Sequence, residues 1–203
     1  MKRKRSRRGP ISAEQLMAEL EADPEYMAQQ EQGDAELRHK AEEWRRAEAP
    51  LVDELRGAGF EVDSAWDLVN TSTPYPAALP ILLEHLGRPY PDRVRESIAR
   101  ALAVRDAKFG WEALTQLYRQ EEAGTDAKDG LAVALAAASD DKVVDEVIAL
   151  ARDAGHGESR LLLLRGLARS KAPQARSALE QFSDDPVLGQ EARRLTKQRR
   201  PKR

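Results

Sequence analysis

Ile98-Ala99-Arg100-Ala101-Leu102-Ala103 recurs as Leu131-Ala132-Val133-Ala134-Leu135-Ala136 and again as Leu163-Leu164-Arg165-Gly166-Leu167-Ala168. The final leucines, Leu102, Leu135 and Leu167, stand 33 and 32 residues apart, and Ala192 with Leu195 closes a fainter fourth copy. Self-similarity at such a period marks a helical repeat array. The residue before each final leucine is Ala101, Ala134 or Gly166, small enough to let two helices approach closely.

Between these copies lies a second kind of helix. Its apolar stripes are Leu79, Leu82, Leu83, Leu86; Trp111, Leu114, Leu117, Tyr118; Val144, Val147, Ile148, Ala151; and Ala175, Ala178, Leu179, Phe182. Each follows the i, i+3, i+4, i+7 spacing of an amphipathic helix or nearly so, and no period-2 strand pattern occurs. Pro91-Asp92, Asp126, Asp140-Asp141 and Asp184-Asp185-Pro186 supply caps at the turns. The expected fold class is all-α: hairpins too thin to bury their own apolar faces, stacked so that neighbours complete the core. Gly130, inside a helix of this set, is an unusual choice.

Working outward, residues 75–197 carry the repeats and residues 11–74 do not. In the latter, Ser12 reads as an N-cap and Asp23-Pro24 as a helix start. A polar helix is expected over Glu25–Glu48, interrupted by Gly33 and ended by Pro50. Gly57 and Gly59 read as a C-terminal stop with Phe60 as its hydrophobic latch. Asp63 is the expected cap of a short helix holding Trp66, and Thr71–Pro76 reads as a corner. Trp111 is expected in the core, Trp44 and Trp66 at packing contacts, His85 on a helix surface, and His156 in a mobile turn between Gly155 and Gly157.

Asp92-Arg93-Val94-Arg95 leading into Ile98, Ala101 and Leu102, together with Leu163 through Asp185-Pro186, resembles the HEAT-repeat family of armadillo-like α-solenoids. It looks like bacterial stand-alone members of that family. The resemblance covers residues 75–197 and implies an α-α superhelix of about three to four hairpins, with residues 11–74 as an N-terminal helical cap or arm. It also implies a concave face lined by the second helices. Rotating the second-type stripes by half a turn puts Ile81, Glu84, Arg88, Glu112, Gln116, Arg119, Lys142, Glu146, Asp153, Ser177 and Glu180 on that ribbon. Glu84, Arg88, Glu112, Gln116, Arg119, Lys142, Glu146 and Asp153 are the candidate partner-binding residues.

Charge narrows the function. The chain of 203 residues has 33 Lys and Arg against 35 Asp and Glu, a formal net charge of −2. That balance hides a segregation. Residues 1–9 carry Lys2, Arg3, Lys4, Arg5, Arg7 and Arg8 with no acid, and residues 193–203 carry Arg193, Arg194, Lys197, Arg199, Arg200, Lys202 and Arg203 with none. Residues 1–10 and 198–203 are the expected basic tails, able to touch nucleic acid or any acidic surface. The acidic body between them suits a basic protein partner, and the mixed-to-acidic ribbon does not suit a duplex.

Chemistry has little foothold in the sequence. No cysteine and only three dispersed histidines are present, which excludes disulfides and thiolate sites and leaves no motif for a metal. No phosphate loop, metal-binding helix or nucleophile elbow occurs, so no cofactor and no enzymatic activity are expected. No stretch approaches the ~18 apolar residues of a membrane helix, and no apolar segment follows the basic start, so the cytoplasm is the expected compartment. The leading reading is a non-catalytic interaction module (an adaptor, regulatory or immunity-type protein) gripping a partner through the concave helix face. The alternative is nucleic-acid association through the tails. HEAT-like DNA glycosylases, which resemble the chain at fold level only, are a third reading onto which no residue can be carried.

Overall fold

The computed structural model describes residues 12–198 and divides the chain into two compact units, residues 1–43 and 44–203. The described residues form eleven α-helices, with short 3-10 turns and no strand.

In the first unit, α1 (Ala13–Glu21) opens with the Leu16 N–H donating to the Ser12 carbonyl. Helix α2 (Pro24–Gly57) begins where Asp23 Oδ1 accepts from Glu25 N at 3.0 Å, with proline at its first position. Nothing apolar holds residues 28–43: Leu37 is 63% exposed. Glu, Gln, Lys, Arg and Ala sustain the helix by intrinsic propensity. The expected break at Gly33 does not occur, because one exposed glycine costs only about 1 kcal/mol relative to alanine.

Helix α2 also continues through Pro50, which corrects the expected end there. Its last turns bury Leu51, Val52 and Leu55 in the core of the second unit. Gly59, at φ 92°, then turns the chain. Phe60 N–H bonds the Leu55 carbonyl and Gly59 N–H the Arg56 carbonyl, the paired bonds of a Schellman stop. Buried Glu48 ties three elements together, accepting from Ala65 N at 2.8 Å and from Ser97 Oγ at 3.4 Å. The next helix, α3 (Ala65–Asn70), is capped by Ser64 rather than Asp63, in a reciprocal box with Asp67.

Four helix pairs follow: α4 (Leu79–Leu86) with α5 (Asp92–Ala101), α6 (Trp111–Gln120) with α7 (Asp126–Ala138), α8 (Val144–Arg152) with α9 (Arg160–Arg169), and α10 (Pro173–Gln181) with α11 (Gly189–Gln198). The repeat helices pack on one another in succession, α5 on α7, α7 on α9 and α9 on α11, while α3 also covers α5. Glycine explains the closeness. A Cβ at Gly130 would stand 2.9 Å from the Glu96 carbonyl oxygen on α5, and one at Gly166 would stand 3.3 Å from the Ala136 backbone on α7. The turn aspartates work between pairs as well as within them. Asp92 accepts from Asp126 N and Ala127 N at 2.9 and 2.8 Å, and Asp141 accepts from Lys171 N at 3.0 Å. These bonds satisfy backbone donors that a turn or helix start leaves unpaired.

Candidate functional site

The expected ribbon residues lie on or beside α4, α6, α8 and α10. Glu84 and Arg88 pair along α4 at 2.6 Å. Glu112 and Gln116 are exposed on α6. Arg119 and Glu146 are brought together at 3.2 Å, and the other oxygen of Glu146 accepts from Trp111 Nε1 at 2.6 Å. Glu146 is therefore a strap from α6 to α8, and Trp111 sits in the core. Lys142 precedes α8 and Asp153 follows it, so these two are not brought together. Each serves its own turn: Lys142 N bonds Asp140 and Gly155 N bonds Asp153, both at 2.9 Å.

Of the basic ends, Lys2, Arg3, Lys4, Arg5, Arg7, Arg8, Arg199 and Arg200 lie outside the described residues. Arg193 and Arg194 belong to α11, where Arg193 donates to the Ser183 carbonyl and Arg194 pairs with Glu191. The basic stretch from residue 193 thus begins as a helix.

Two grooves open on the α5, α7, α9 and α11 side of the second unit. The first, about 450 Å³, has Trp66, Val69, Tyr75, Val104 and Val133 as its apolar lining, with Arg100 and Asp106 as its charges. The Tyr75 hydroxyl donates to the Ala101 carbonyl at 2.9 Å, and Arg93 covers the Trp66 ring at 5.1 Å. Burial raises the Tyr75 hydroxyl above the usual phenol range. The second groove runs between α9 and α11, with Leu161, Leu162 and Val187 between Arg165, Arg194 and Glu191.

Both grooves draw on the same positions of the repeat. Arg100, Val133 and Arg165 are the third residues of its three copies, the ones that point outward. Four residues further on stand Val104, Ala137 and Arg169. Four residues before stand Glu96, Asp129 and Leu161. Glu96 is buried beneath Arg93 and Arg100, pairing with both. Asp129 is raised in pKa by desolvation, partly countered by Arg100 and reinforced by Asp126 and Glu96. Arg169 donates to the Ala136 and Ala137 carbonyls at the end of α7. Burial and then nearby Arg105 lower its pKa.

Elsewhere, two buried histidines are structural ties. His85, expected on a surface, is 0% exposed. Its Nε2 lies 2.8 Å from Glu54 Oε2 and its Nδ1 2.7 Å from the Tyr90 hydroxyl. In the neutral ring, Nε2–H donates to the carboxylate and Nδ1 accepts from tyrosine. His156, expected in a mobile turn, is also buried. Its Nδ1 accepts from Lys128 Nζ at 3.0 Å, and that ammonium also donates to the Tyr118 and Glu121 carbonyls. Lys128, only 1% exposed, stands 4.2 Å from the Tyr118 ring. Desolvation lowers Lys128 and His156 and pushes the Tyr118 hydroxyl up to about 12. With every polar partner inside the fold, this cluster holds α6, α7 and the turn before α9 together.

No family model, curated protein or solved structure matches the chain. Among the described residues, no group of three or more His, Asp or Glu could hold a metal ion, and no helix is long and apolar enough to cross a membrane. The outward repeat positions were missed by reading the stripes of α4, α6, α8 and α10 alone. The alignment that revealed the repeat contained them, as its one column holding arginine.

Proposed function

We propose that this protein is a non-catalytic interaction module, a HEAT-like array of helical hairpins that grips a partner protein on the outward face of α5, α7, α9 and α11. One observation carries the reading. Two grooves include outward repeat positions of that layer, Arg100 and Val133 in the first and Arg165 in the second, although α3, the corner after it and Leu79 supply most of the first. Trp66, Tyr75 and Arg100 in the first groove, and Arg165 and Arg194 in the second, are of the residue types that dominate protein-binding energies. On the other layer, Arg119 and Glu146 are already engaged with each other and with Trp111, which leaves that ribbon fewer free groups to offer.

Site-specific photo-crosslinking in cells discriminates the two layers. A photoreactive residue at Val133 or Leu162 is expected to give a discrete protein adduct, and one at Glu112 or Gln116 none. Adducts only from positions 112 and 116 would move the partner to the α4, α6, α8 ribbon. Absence of adducts from all four positions would remove the interaction reading altogether.

A further inference from the structure

We infer that the outward face of the second unit pairs with the same face of a second copy of this chain, α9 lying antiparallel on α9 about a two-fold axis that passes between Leu161 and Leu162. The inference rests on the reading of this face as the partner surface and names the partner.

The order of residues along α9 and the turn before it carries the symmetry. Glu158, Leu161, Leu162 and Arg165 follow the i, i+3, i+4, i+7 spacing of one helix face. Ser159 already has helical dihedrals, φ −54° and ψ −23°, so that face runs back from α9 to Glu158. Leu161 and Leu162 are half-buried on it, while Glu158 and Arg165 are exposed. Glu158 stands three residues before Leu161 and Arg165 three after Leu162. The two charges are therefore about 10 Å apart along the helix, with the leucines midway. Turned end for end, the face keeps its spacing and exchanges its charges. An antiparallel copy sets each Glu158 against the other chain's Arg165, with leucine on leucine at the axis.

The surroundings extend the same polarity. At the Glu158 end, desolvation raises the Asp129 carboxyl; Arg100 opposes this, and Asp126, Glu96 and Glu158 add to it as like charges. Acids thus gather there from α5, α7 and the turn before α9. At the other end Arg165 and Arg194 line one groove, and Arg169 follows one turn further along α9. Glu191 is the single carboxylate of that groove, held below the usual carboxylate range first by its hydrogen bond from Arg194 and last by the charge of Arg165. Among the described residues, neither Glu158 nor Arg165 has a salt-bridge partner, so both charges are free to pair. A face of one sign would repel its own copy; this one attracts it, and in the antiparallel sense alone. A foreign partner would have to present the same order of acid, leucine and arginine, which a second copy presents by construction. The apolar part, Leu161, Leu162 and Val187, is small. Such a patch supports a weak, reversible pair, with a dissociation constant on the order of 10–100 μM.

Sedimentation equilibrium of the full chain from about 1 μM to 1 mM tests this, and a reversible monomer–dimer equilibrium is expected. Glu158→Arg and Arg165→Glu are each expected to weaken the pair about tenfold or more, because both contacts across the axis become repulsive. Mixed in equal amounts, the two variants should recover the parental affinity, since every contact again joins opposite charges. Damage to the fold cannot produce that recovery. Arg176→Glu, on α10, makes the same change of charge away from this face and should give no recovery when mixed with Glu158→Arg. A chain that stays monomeric to ~1 mM, a pair that neither substitution weakens, or a mixture no tighter than either variant alone overturns the proposal. The crosslinks separate this outcome from the reading beneath it. An adduct from position 162 at twice the mass of the chain supports the second copy. An adduct to a different protein, with the chain itself monomeric, leaves the face standing and removes the second copy. With no adduct from position 133 or 162, the face falls as well.

Discussion

Residues 24–43 and 44–57 share one continuous helix, α2, yet burial holds only the second stretch. The first is exposed almost throughout and persists on side-chain propensity, with i,i+4 contacts such as Gln32–Glu36 and His39–Glu43 adding a few tenths of a kcal/mol. The second carries a proline and is not broken by it. An interior proline costs about 3 kcal/mol, while burying Leu51, Val52 and Leu55 contributes roughly 2 kcal/mol each. Packing therefore decides the backbone in one stretch, and local preference decides it in the other. The same contrast separates the two units: in residues 44–198 helices touch backbone to backbone, and a side chain's surroundings determine what it costs.

The largest effect that sharpens this contrast belongs to Gly130. A valine there would push its Cβ onto the Glu96 carbonyl, which is backbone and cannot swing away. Gly130→Val is expected to destabilise the second unit by about 3 kcal/mol, the upper range for overpacking. Urea titration would read it as a lower midpoint at unchanged m. Gly57→Ala, where an added Cβ meets nothing within 4 Å, is the matched control. If the two glycines behaved alike, close approach of α5 and α7 would not be what fixes residue 130.

A smaller, pH-dependent effect resides in the Lys128–His156 contact. Desolvation and then Lys128 lower the His156 pKa, so the folded chain holds the ring neutral where the unfolded chain would already protonate it. Between the folded pKa and the ordinary ~6.5, the unfolded state binds more protons, and stability must rise with pH. It is fully present above ~6.5 and is lost as the pH falls toward the depressed folded value. His156→Gln keeps an acceptor for Lys128 without a titrating ring. Thermal unfolding of the parent should therefore lose more stability between neutral and mildly acidic pH than the variant does. Equal slopes would assign that pH dependence to groups other than His156.

Period and spacing made the helices legible before any coordinates. The repeat at Leu102, Leu135 and Leu167, the stripes between its copies, and the Gly57–Phe60 stop all report short-range geometry. What the sequence could not expose is what arrives from elsewhere in the chain. His85 is buried by Glu54, 31 residues away, and His156 by Lys128, 28 residues away. Pro50 reads as a break until the burial of the next turn is known. The candidate face was half legible. Arg100, Val133 and Arg165 stood in one repeat column, but which column faces outward depends on how α5, α7 and α9 pack.

The smallest effect probes the exposed half of α2 by itself. A Cβ at Gly33 would meet nothing within 4 Å, and its φ is not in the left-handed region. Gly33→Ala therefore gains helix propensity without a steric term, about 1 kcal/mol. That energy should be local. Amide hydrogen exchange around residue 33 is expected to slow by roughly fivefold, while the urea midpoint of the second unit stays where it was. A midpoint that moved with Gly33 would mean that the two stretches of α2 unfold together. The division between a helix held by propensity and one held by burial would then fail at the place where it is drawn most sharply.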